Sequence, residues 1–196
     1  DLGDSVEIRN LRAKAAAYLA EDYYRNGQEA KTREMRAVIP SLVLGKNEAL
    51  GDSEEIRTER ARATAKLIPA YVHSGDMVAA CSTFEAMADL GDSEEIRTER
   101  ARASNHLIYY YGKSGDMVAA RAIFDAMADL GDSGKIRTER VWAAKYLVTA
   151  YCQGGQEAKA REMLTLIPSL YAGTKDEWFE RVIMVVKLVR GCPSRK

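Results

Sequence analysis

The chain has 196 residues, with 29 Lys+Arg against 29 Asp+Glu, so its formal net charge is zero. A general polyanion binder needs a basic surplus to displace counterions from phosphates, and that class is disfavoured here. Charged residues make up 30% and hydrophobic residues 46%, the balance of a soluble, folded protein rather than a disordered one.

The first residues, Asp1-Leu2-Gly3-Asp4, do not read as a signal peptide, since no basic segment precedes an apolar one, and none is expected. They fall inside a phrase that recurs. "LGDSVEIRNLRAKA" starts at Leu2, "LGDSEEIRTERARA" at Leu50 and again at Leu90, and "LGDSGKIRTERVWA" at Leu130. In the later copies the phrase follows "FEAMAD" or "FDAMAD", so the chain reads as a piece of a longer protein. Gly51 to Gly91 is 40 residues and Gly91 to Gly131 another 40, while Gly3 to Gly51 is 48. Periods in this range mark stacked supersecondary units. The units run over approximately 4–50, 51–90, 91–130 and 131–173.

Each unit predicts two helices. In the third, Asp92 or Ser93 caps the start, with Glu95 as the reciprocal acceptor of a capping box. Ile96, Ala103, Leu107 and Tyr111 then share one face. Lys113 to Asp116 breaks the helix at Gly115, and a second helix from Asp116 carries Met117, Ala120, Phe124, Met127 and Leu130 as its stripe. Gly131 ends it. The phrase is therefore a junction: Leu-Gly closes one helix and Asp-Ser opens the next. One pair cannot bury its apolar stripe alone, so the junction recurs wherever pair meets pair. In the first and last units Pro40 and Pro168 are expected to end or kink their helices. A terminal helix over 174–191 follows, opened by Thr174 and Glu177. Its body includes Arg181 to Arg190, the longest apolar stretch, which is too short for a membrane span and carries Lys187. The fold class is all-α: a right-handed α-solenoid of about four helical pairs plus a C-terminal helix, forming one repeat domain.

Asn105 to Met127 resembles a pentatricopeptide repeat, and it also fits the looser tetratricopeptide pattern through Leu107, Tyr111, Gly115, Ala120 and Phe124. The second unit matches at Leu67, Tyr71, Gly75, Ala80 and Phe84, and the fourth at Leu147, Tyr151, Gly155, Ala160 and Leu164. The first keeps Leu19, Tyr23 and Gly27 but has Thr32 and Arg36 at the last two positions. Both families have shorter periods than 40. The resemblance to tetratricopeptide arrays implies a protein-binding or scaffolding module whose first helices line a concave face. The pentatricopeptide resemblance implies single-stranded RNA read by a polar residue near the start of the first helix. The matching residues are Ala17, Ala65, Asn105 and Lys145, and two alanines cannot hydrogen-bond a base edge. RNA binding is therefore the alternative, and a regulatory or sensor segment of a larger enzyme or effector is a second one.

Catalysis, cofactors, metals and small-molecule substrates are not expected. The two histidines, His73 and His106, lack metal-ligand spacing, and no phosphate loop or nucleophile motif is present. Cys81, Cys152 and Cys192 lack C-x-x-C spacing and read as reduced thiols in a cytoplasmic protein. Two arginine sets recur: Arg9, Arg57, Arg97 and Arg137, then Arg12, Arg60, Arg100 and Arg140. They serve either an anionic ligand or, as the preferred reading, carboxylates and helix ends of adjacent helices. Tyr23, Tyr71, Tyr111 and Tyr151 share the core phase; Tyr24, Tyr109 and Tyr110 are off it. The candidate partner-binding residues are off-phase on the first helices: Tyr24, Arg25, Arg62, His73, Arg102, Asn105, Tyr109, Lys113, Trp142 and Lys145. Basic groups with aromatic anchors suit an acidic peptide or a C-terminal carboxylate.

Overall fold

A computed structural model describes residues 6–28, 30–32, 34, 35, 38 and 53–170. The protein is all-α, and among the described residues there is no strand. Its helices fall in two compact units, Asp1–Ala103 and Ser104–Lys196, with the boundary inside one helix. The first unit holds α1 (Val6–Arg25), α2 (Glu54–His73), α3 (Met77–Ala86), a 3-10 turn (Met87–Leu90) and the start of α4 (Glu94–Ser114). There α2 packs on α1, on α3 and on the 3-10 turn. The second unit holds the rest of α4, then α5 (Met117–Ala126), a second 3-10 turn (Met127–Leu130), α6 (Gly134–Gln153) and α7 (Glu157–Leu170). There α6 packs on α5 and α7. The expected C-terminal helix over 174–191, and Pro40, lie outside the described residues. Pro168 does not end its helix: α7 continues to Leu170.

The junction phrase does what its letters imply, with one correction. Ser53, Ser93 and Ser133, not the aspartates before them, cap α2, α4 and α6. Each serine oxygen accepts the backbone N–H of Ile56, Ile96 or Ile136 at 3.4 Å. The third helical position is thus isoleucine, and the glutamates one place earlier cannot form the reciprocal box expected from Glu95. The displaced aspartates take another partner. Asp92 pairs with Arg97 at 3.8 Å and Asp132 with Arg137 at 3.3 Å. Arg97 and Arg137 therefore serve the junction that opens their own helix, while Arg57 lies against the end of the neighbouring 3-10 turn at Gly91. Gly91 closes the junction with φ +111, and a Cβ there would meet the Arg57 side chain at 3.4 Å. Glycine is needed for that backbone, and the arginine packs over it. The second helices also start as expected, with Asp76 and Asp116 accepting from Ala79 and Ala119 N–H at 3.0 Å.

The apolar stripes form the core. Ile96, Ala103, Leu107, Met117, Ala120, Phe124, Met127 and Leu130 are all buried, each large one contributing roughly 1.5–3 kcal/mol by leaving water. Tyr71 and Tyr151 are buried while Tyr23 and Tyr111 are half-buried. The second helices tighten into 3-10 turns at "MADL". Three residues per turn align positions i and i+3, so Met87 and Leu90, and likewise Met127 and Leu130, both reach the core. Cys81 is a free, half-buried thiol. Cys152 is buried and disulfide-bonded, correcting the expectation of reduced thiols throughout. Disulfide formation depends on the approach of two Cβ atoms in space, which sequence spacing does not encode.

Candidate functional site

The off-phase residues of the first helices form a separate set in each unit. In the first unit Arg62 is exposed on α2, pairs with Glu59 one turn back and lies 3.9 Å from Glu99 on α4. Arg102 is also exposed and pairs with Glu99 at 2.8 Å. Lys66 sits over the Tyr18 ring, 5.5 Å from its centroid, with its ammonium 3.4 Å from the hydroxyl. His73 is exposed in the last turn of α2. Ala65 and Val72, which share the off-phase positions, are buried and present nothing to a ligand. The backbones of Tyr24 and Arg25 belong to α1, but their side chains fall outside the described ones.

The glutamates change the charge of this surface. The expectation of a basic lining counted Arg62 and Arg102 but not Glu59, Glu99 and Glu139, one per repeat from "RTER". Glu99 is buried and lies between the two arginines of the first unit. These guanidiniums are therefore largely neutralised by their own helix neighbours. The signal was present in the sequence, since glutamate three residues before arginine on a helix is a pairing distance.

The second unit has a different chemistry. Asn105 is 7% exposed and donates its amide N–H to Glu139 on α6 at 2.7 Å. One turn on, Tyr109 is 47% exposed and meets Tyr146 edge to face, with centroids 5.4 Å apart. Trp142 is 38% exposed, and the Lys145 ammonium stands 4.8 Å from its ring centroid. Cation–π contacts of this kind favour the charged lysine and hold the ring in place. Lys113 is exposed in the last turn of α4, where a cation is favoured by the helix dipole. Thr149 is occupied locally, donating its hydroxyl to the Lys145 carbonyl at 3.0 Å. The helices approach closely enough that a Cβ at Gly112 would lie 3.0 Å from the Ala150 Cβ. An added side chain there would require Ala150 to give way by a few tenths of an ångström. Tyr146 was not among the expected site residues. It holds the position of His106 and Lys66 in the preceding repeats, and its type does not recur there.

This surface offers two exposed aromatics, two lysines and an asparagine amide already engaged by a carboxylate. Among the described residues no three His, Cys, Asp or Glu side chains cluster to hold a metal ion. No described helix is long and apolar enough to cross a membrane.

The family model described as PPR repeat matches residues 103–132, which cover α4 from Ala103 onward, α5 and the second 3-10 turn. The chain is accordingly a helical-repeat protein of the tetratricopeptide- or pentatricopeptide-like kind, a class of repeat-based binding modules. No curated protein and no solved structure gives a significant match.

Proposed function

We propose that this chain is a non-catalytic binding module that recognises an acidic polypeptide segment on the α4–α6 surface of the second unit. The observation that carries the reading is the combination of exposed Tyr109 and Trp142 with Lys113 and Lys145. Rigid aromatics are the usual anchors at protein interfaces, and lysines beside them select carboxylates. A second reading, single-stranded RNA, is favoured by the match of residues 103–132 to the PPR repeat. Against it stands Asn105, which occupies the base-reading position implied by the resemblance. It is nine-tenths buried and already donates to Glu139. Ala65, at the same position in the first unit, is buried and has no polar group.

The test compares the whole chain with a Tyr109→Ala/Trp142→Ala variant in affinity capture, with and without nuclease, and in gel shift with single-stranded RNA. A protein partner that survives nuclease and binds the variant at least about tenfold more weakly supports the reading, since two anchors together are worth 2 kcal/mol or more. Capture that nuclease abolishes, together with an RNA shift persisting at raised salt, would replace it with the second.

A further inference from the structure

The first unit holds an unneutralised cation against an exposed ring. On α2, Lys66 is exposed, and its ammonium stands 5.5 Å from the centroid of the Tyr18 ring on α1 and 3.4 Å from the hydroxyl. Tyr18 is itself 60% exposed. The neighbouring cations are matched. Arg62, one turn before Lys66, pairs with Glu59 and approaches Glu99, and Arg102 pairs with Glu99. Among the described residues no carboxylate pairs with Lys66.

A free surface lysine must give up much rotamer freedom when a ligand orders it. Lys66 has already lost part of that freedom on the ring, and the ring face favours its charged form. A cation and an aromatic held together in this way are preorganised for an anion that brings apolar surface with it. The chemistry parallels that of the second unit, where the Lys145 ammonium stands 4.8 Å from the Trp142 ring centroid. The repeat register relates the two surfaces as well. Tyr18 and Lys66 hold the positions that His106 and Tyr146 hold on α4 and α6, so a tyrosine and a basic residue recur there in reversed order. At the far end the charge changes sign. Asp22, one turn beyond Tyr18 on α1, is exposed and forms no ion pair with Lys66. An anion is therefore drawn to Lys66 and repelled from the Asp22 end.

We propose that Tyr18 and Lys66 form a second ligand subsite, on the α1–α2 surface of the first unit, that takes a glutamate or aspartate side chain of an extended peptide. The carboxylate pairs with Lys66 Nζ, and the apolar part of the segment lies on the open part of the Tyr18 ring. The ligand class is the one proposed for the α4–α6 surface, while the residues are a separate set in the other unit. One unpaired lysine between neutralised arginines and an aspartate matches a single carboxylate. A run of phosphates requires a continuous basic track instead.

The experiment titrates the whole chain with a labelled peptide of alternating glutamate and leucine, and separately with oligouridylate. It follows the affinity and the NMR signal of the Lys66 ε-methylene, which the Tyr18 ring current displaces. The peptide should bind the parent and move that signal. Lys66→Glu should weaken the peptide by about tenfold, the loss of one exposed pair plus a repulsion. Asp22→Asn should tighten it about twofold at low salt and not at high salt. Both positions are exposed, so melting should stay near that of the parent. In Tyr109→Ala/Trp142→Ala the Lys66 signal should still move with the peptide. Unchanged affinity in that variant, with the signal still moving, supports this subsite and counts against the α4–α6 surface alone. The proposal is overturned by a parent that binds no peptide at low salt, or by a Lys66→Glu chain that binds as the parent does. A Lys66 signal that moves with oligouridylate and not with the peptide overturns it as well.

Discussion

At the scale of single residues, the most informative place is the helix start at Ser53. Serine caps the helix, and the two carboxylates that follow sit in its first turn, where the helix dipole favours negative charge. Glu55 goes further. Its carboxylate accepts from its own backbone N–H and then from the Ser53 hydroxyl, and these hold its pKa below the usual glutamate value. A carboxyl whose folded pKa is depressed contributes stability above its unfolded pKa and loses that contribution as pH falls through the folded pKa. Glu55→Gln should therefore melt slightly below the parent near neutral pH. The two curves should converge once the pH is below the titration of the folded carboxyl. Melting across this acid range, with an NMR titration of Glu55, checks it, and a gap that persisted at the acid end would refute the linkage. The letters "DSEEI" announced a capped helix start but not which residue caps it. Aspartate and serine are both good caps; here serine caps, and the exposed aspartates Asp92 and Asp132 pair with Arg97 and Arg137.

At the scale of helices, pairing was legible and cross-bracing was not. The stripe at Met117, Ala120, Phe124, Met127 and Leu130 follows a helical period, so its burial could be read directly. The ties between neighbouring helices depend on single positions that vary from repeat to repeat. Arg121 stands where an earlier repeat has Cys81. It reaches Asp125 on its own helix at 2.9 Å and Glu162 on α7 at 2.9 Å, with the Met163 sulfur at 3.4 Å. Burial alone would disfavour its charge, but hydrogen bonds and the charges of Asp125 and Glu162 outweigh that and raise its pKa. Arg121→Met keeps the stem and removes the bridge. The pair is partly exposed, so the expected loss is about 1 kcal/mol, a fall of roughly 2–4 °C in melting temperature for a chain of this length. The fall should shrink in high salt, which screens exposed pairs. An Arg121→Met chain melting with the parent in low salt would show that the bridge contributes nothing. The same physics explains the misjudged charge of the first unit: Arg62 and Arg102 looked available because Glu99 reaches them from positions that a count along one face leaves out.

At the scale of the whole chain, the repeat period carried the architecture and left the ligand open. Forty residues from Gly51 to Gly91 and forty to Gly131 specify the same junction each time, so each pair's principal contacts are with its neighbours. This makes removal of one unit a strong test. Deleting 91–130 joins Leu90 to Gly131-Asp132-Ser133, the same letters that followed Leu90 before, so no junction is lost and Ser133 still caps α6. The shortened chain should keep its helicity per residue and a cooperative melt, at a lower midpoint because one interface has been removed. Chain collapse, or a broad loss of helicity, would mean that the repeats do not stack by nearest-neighbour coupling. The same deletion also removes Asn105, Tyr109 and Lys113 while keeping Trp142 and Lys145. A partner held by the α4–α6 surface must then be lost from a protein that is still folded. Retention of the partner by the folded, shortened chain would move the binding surface elsewhere, to the exposed groups of α1 and α2 or to the far side of α6 and α7.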